Sequence, residues 1–102
     1  MGKPQQIFNQ GSFHTFWVNS RGELCEAYGE HQEHLSVVDT DYEPHADVTI
    51  SRLIPGPPDN AFYTYYGVSA AHVGGDGMRL VRWVGRDWKP ADHWEGPWAT
   101  FS

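Results

Sequence analysis

Ser12-Phe13-His14-Thr15-Phe16-Trp17-Val18, followed by Asn19-Ser20-Arg21-Gly22, is the stretch that decides the fold. Aromatic and β-branched side chains of this density suit a pleated, half-buried strand. Alternation then sets Phe13 and Trp17 on one face and Phe16 and Val18 on the other. Residues 19–22 form a turn, because Gly22 can take positive φ and Asn and Ser side chains support tight bends. Residues 23–28 return as the second strand of a hairpin.

Outward from the hairpin, Gly29 interrupts the strand. In residues 30–38, Leu35 and Val38 lie at helical spacing behind His31 and His34, which predicts a short helix. Residues 39–46 read as a loop, with Pro44 restricting Glu43 before it. Residues 47–53 alternate Val48 and Ile50 against Thr49 and Ser51, a strand pattern, and Pro55-Gly56-Pro57-Pro58-Asp59-Asn60 breaks it. Residues 62–68, dense in tyrosine, and 78–84 are further strands, separated by a glycine-bearing loop over 69–77. In the 78–84 strand Leu80 falls on one face and Val81 and Trp83 on the other, the mark of a central strand. Residues 1–11 read as an N-terminal arm anchored by Ile7 and Phe8, with a short edge strand. Residues 85–102 read as an irregular segment whose Trp88, Trp94, Trp98 and Phe101 pack back on the sheet.

The fold class expected is α+β and β-rich: one small antiparallel sheet of about five strands, curled or barrel-like, with at most one or two short helices. At 102 residues the chain is expected to form a single domain over 1–102, and 15% aromatic residues argue against disorder. Cys25 is the lone cysteine, so no intramolecular disulfide framework exists. With no secretory pattern in the N-terminal residues and no apolar run long enough to span a bilayer, a cytoplasmic location without membrane contact is expected.

The formal net charge of −6 hides a polarised distribution. Eight carboxylates, Glu23, Glu26, Glu30, Glu33, Asp39, Asp41, Glu43 and Asp47, occur without an intervening Lys or Arg. Four of the seven basic residues, Arg79, Arg82, Arg86 and Lys89, cluster near the other end. One reading is an acidic surface that docks on a basic protein, itself a nucleic-acid binder, since such a surface steers association over long range. The competing reading is a solvated face answered by the basic cluster of the same chain. Direct nucleic-acid binding is disfavoured by the net charge.

Asp39, Asp41, Glu43 and Asp47 imitate the opening of an EF-hand calcium loop, but Pro44 stands where the turn needs Gly and Ile50 where a bidentate Glu is needed. His31 and His34 would share a helical face and reach one metal with nearby carboxylates, which frames a small metal-assisted enzyme as an alternative. Neither a metalloprotease helix, a serine-hydrolase elbow nor a phosphate-binding loop is spelled out, and no cofactor is expected. Cys25 sits between Glu23 and Glu26, which disfavour a thiolate, so it reads as a packing residue. Arg82, Trp83, Arg86, Trp88 and Trp94 interleave guanidinium groups with indole rings, which frames a sugar- or base-stacking module as a third alternative. The leading expectation is a non-enzymatic binding module, an inhibitor or adaptor that presents its acidic segment to a basic protein.

Overall fold

A computed structural model of the chain describes residues 2–9, 11–53, 65–75, 78–83, 88–90 and 98–100. Its strands run in the order β1 (Gln5–Asn9), β2 (Ser12–Val18), β3 (Leu24–Tyr28), β4 (His34–Asp39), β5 (Thr49–Leu53), β6 (Tyr65–Ser69), β7 (Met78–Trp83), β8 (Trp88–Pro90) and β9 (Trp98–Thr100). Neighbouring strands pair antiparallel throughout, in a four-stranded sheet of order β1-β2-β3-β4 and a five-stranded sheet of order β8-β7-β6-β5-β9. Neither strand order returns to its start, so neither sheet closes into a barrel among the described residues.

Strand richness and antiparallel pairing match the expectation from sequence, whereas the strand count and the helix do not. Instead of about five strands in one sheet, nine short strands form two sheets among the described residues. Residues 30–38 are not helical: a turn follows Gly29, and His34–Asp39 extends as β4 against β3. Leu35 and Val38 suggested a period near four, yet Leu35 and Val37 alternate with His34 and Ser36 just as well. The pairing energy of a ready neighbour decided for the strand, since a single amphipathic turn cannot sustain a helix alone. Part of the 85–102 segment is regular as well, supplying β8 and β9. Residues 55–60 and 62–64 lie outside the described residues.

The hairpin of β2 and β3 has Val18 opposite Leu24 and Phe16 opposite Glu26. The inner face of the first sheet therefore carries His14, Phe16, Val18, Leu24 and Glu26, all buried. Phe16, Val18 and Leu24 join Val48, Ile50, Tyr66, Val68 and Ala70 of the β5–β6 region in one apolar cluster, completed by Tyr42. Phe16 meets Tyr66 edge-on, with ring centroids 6.3 Å apart. The core thus lies between the two sheets, and His14 and Glu26 are polar inclusions at its border.

The turn joining β2 and β3 is tied to the chain that follows β4. Asn19 Oδ1 accepts from the backbone N–H groups of Arg21 and Glu23, and Gly22 adopts φ 75°. Tyr42 N–H donates to the Gly22 carbonyl at 3.0 Å, and a Cβ at Gly22 would lie 2.4 Å from the Tyr42 carbonyl oxygen. Gly22→Ala therefore combines a left-handed backbone with a clash against main chain. It is expected to cost about 1–3 kcal/mol in denaturant unfolding, against a few tenths for Ser20→Ala in the same turn.

Candidate functional site

Since side chains alternate across a sheet, what the first sheet does not send inward it must send outward. Register fixes that outer face. Phe8 stands opposite Phe13, Thr15 opposite Ala27 and Trp17 opposite Cys25; Ala27 and Cys25 in turn stand opposite Leu35 and Val37. The outer face is thus mainly apolar. Phe8, Phe13, Leu35 and Val37 are 60%, 50%, 70% and 50% exposed, while the small Cys25 and Ala27 of β3 are buried between larger neighbours on β2 and β4. Phe8 and Phe13 meet edge-to-face at 5.2 Å, so the aromatic end of the patch is ordered by its own contact.

The turn between β3 and β4 rims this face. Gln32 takes φ 54°, uncommon for a residue with a side chain. Its amide is held from three sides: Nε2 donates to the Phe13 and Gly29 carbonyls, and Oε1 accepts from the Thr15 hydroxyl at 2.7 Å. Thr15 Oγ1 accepts in turn from Gln6 Nε2. Glu33 folds back to accept the His31 N–H at 2.8 Å, under Gly29 at φ 105°.

Of the eight carboxylates of the acidic segment, Glu26 is withdrawn from the surface. It is 2% exposed and its Oε2 lies 2.5 Å from His14 Nδ1. Glu23 Oε1 accepts from Asn19 Nδ2 and from Arg21 Nε, Asp39 Oδ2 accepts from the Tyr42 hydroxyl, and Asp47 Oδ1 accepts from the Lys3 N–H. Glu30, Glu33, Asp41, Glu43 and Asp47 are exposed. The segment therefore does not form one face. Glu30 and Glu33 lie in the turn before β4, whereas Asp39, Asp41, Glu43 and Asp47 follow along it and beyond, where the Tyr42 and His45 N–H groups bind the turn at 19–22.

Hydrogen bonds hold two of these carboxyls below the ordinary range. For Glu33 the causes are its own backbone N–H and that of His31; for Glu23 they are the Asn19 side chain and Arg21. A carboxyl depressed on folding contributes stability above its unfolded pKa and loses it as pH falls through the folded one. Glu33→Ala is accordingly expected to lower the melting temperature slightly at neutral pH, and the gap should close as pH drops below about 4. A gap that persisted in acid would point to lost packing instead.

The imidazoles expected on one helix face instead flank Glu33, in the turn and at the start of β4, with His34 Nε2 3.6 Å from Glu33 Oε1. His31 is exposed in the turn. His34 stacks on Tyr28 with centroids 4.9 Å apart, and Tyr28 stacks on His14 at 5.1 Å, a column across β4, β3 and β2. Among the described residues no three His, Cys, Asp or Glu side chains are gathered as a metal would need. Burial, then the Glu23 charge, push the Cys25 thiol up, which suits a packing role. Arg82 and Trp88 are register partners on β7 and β8 and Trp83 pairs with Tyr65, whereas Arg86 and Trp94 lie outside the described residues. No helix among the described residues is long and apolar enough to cross a membrane.

Sequence reading missed the outer apolar face, although its signal was present in the Phe13/Trp17 alternation and in Leu35 and Val37 once residues 34–39 are taken as a strand. Neither a family model, a curated protein nor a solved structure matches the chain.

Proposed function

We propose that this protein is a non-enzymatic interaction module, an inhibitor or adaptor, that docks a protein with apolar and basic side chains on the outer face of its first sheet. The observation that carries this reading is the exposure of Phe8, Phe13, Leu35 and Val37 together on one ordered sheet face. Contiguous apolar patches rimmed by polar groups mark interaction sites. Covering each such side chain contributes about 1.5–3 kcal/mol, part of which offsets the entropy of association. The exposed carboxylates of Glu30 and Glu33, in the turn that rims it, with those of Asp41 and Glu43 further along the chain, supply long-range attraction for a basic partner, with binding that weakens as salt screens it.

The test compares the proteins that wild type, Phe13→Ser and Leu35→Ser retain from host extract at low and high salt, with melting curves to show that both variants fold. A partner held by wild type, lost by both variants and weakened by salt is the expected result. Equal retention by all three proteins would sink the reading.

A further inference from the structure

Strand β4 is an edge: β3 is its one ladder partner among the described residues. The outer side of such a strand presents backbone N–H and C=O groups ready to template another strand, and natural edges are commonly blunted by Lys, Pro, bulges or inward charges. β4 reads His34-Leu35-Ser36-Val37-Val38-Asp39, with neither a Lys nor a Pro, and His34 to Val37 are all exposed. Its register slips opposite Leu24 and Cys25, leaving His34 to Val37 as the regular stretch. Leu35 and Val37 continue the apolar outer face to this rim, while His34 and Ser36 point to the opposite side.

Charge selects the occupant. Carboxylates bracket the edge, Glu30 and Glu33 before it and Asp39, Asp41 and Glu43 after it, with no Lys or Arg between Glu23 and Asp47. A second copy fits poorly. Antiparallel self-pairing over His34 to Val37 would bring Glu30 and Glu33 of one copy toward Asp39 and Asp41 of the other, and facing like charges are destabilising. A cationic strand meets the same groups with the favourable sign.

We propose that β4 accepts an extended, cationic segment of a partner protein as an additional strand. Alternate apolar side chains of that segment would lie beside Leu35 and Val37, and its Lys or Arg residues would face His34 and Ser36 and reach the carboxylates at both ends. Main-chain hydrogen bonds supply affinity in this mode and alternate side chains supply selection. The inference rests on the reading of the outer face as a docking surface and names the partner's chemistry and its backbone conformation.

The probe is a capped nonapeptide alternating Lys and Val, titrated into isotope-labelled full-length protein. Amide shifts and slowed hydrogen exchange centred on His34 to Val37 are expected. Affinity should fall by about tenfold or more when the valine amides are N-methylated, when Val37 is changed to Lys in the protein, and when salt rises from low to high ionic strength. Equal binding of the N-methylated peptide, shifts confined to residues 40–47, or no binding at millimolar peptide would overturn the proposal. So would a dimer in sedimentation that Val37→Lys dissolves, since a second copy would then hold the edge. If the peptide fails while Phe13→Ser and Leu35→Ser still lose the host partner, strand addition falls and the docking surface stands. If host retention is indifferent to both variants while the peptide binds at β4, the broader reading falls instead.

Discussion

Phe16→Ala is expected to lower the unfolding free energy by about 3–5 kcal/mol, the cost of deleting a buried aromatic ring and leaving a cavity. Phe16 is fully buried and packs edge-on against Tyr66, so the two sheets meet at this ring. For a domain whose total stability is on the order of 5–15 kcal/mol the loss is large. The melting temperature should fall by more than about 10 °C. Phe13→Ala is the control: three residues away on the same strand, it is 50% exposed and faces outward. It should cost less than about 1 kcal/mol. Similar losses for the two variants, measured by denaturant unfolding, would contradict the assignment of inner and outer faces.

The second large effect is expected at the buried pair. His14 Nδ1 and Glu26 Oε2 are 2.5 Å apart, with side chains 4% and 2% exposed. Removing one member of such a pair takes from the other, still buried, the group that meets it at this short distance. Glu26→Ala is therefore expected to destabilise by about 3–5 kcal/mol. Replacing both members with apolar groups of similar volume removes the penalty that either one leaves on the other. The double variant His14→Phe, Glu26→Leu should consequently be more stable than Glu26→Leu alone. The His14 ring already stacks on Tyr28, a contact that Phe can keep. Equilibrium unfolding of the two single variants and the double measures the coupling directly; strictly additive losses would show that the pair does not act as a unit.

Legibility from sequence followed the locality of the signal. The 12–28 hairpin was readable because strand propensity, alternation and turn chemistry agree within a short span, and Gly22 does take positive φ. Residues 30–38 read as a short helix because Leu35 and Val38 lie at helical spacing, yet Leu35 and Val37 also fit a strand; what chooses between them is the ladder to β3, just before it in the chain. The acidic segment was legible as a composition and not as a surface. Glu26 has the same formal charge as Glu30, yet it falls on the inner face because it stands opposite Phe16, and His14 receives it. His31 and His34 likewise come to Glu33 through the turn and the start of β4 rather than through a helix.

By itself the sequence determined that strands would dominate, where the hairpin bends, and that charge would be polarised, because propensity, turn chemistry and composition are local. Only the tertiary structure decided that the strands of the described residues split into two sheets, that Glu26 is buried on His14, and that Phe8, Phe13, Leu35 and Val37 share an exposed face reaching β4, whose one ladder partner among those residues is β3. The physical reason is register: a strand's alternation says which side chains travel together, and the neighbour it pairs with says which of them meet water.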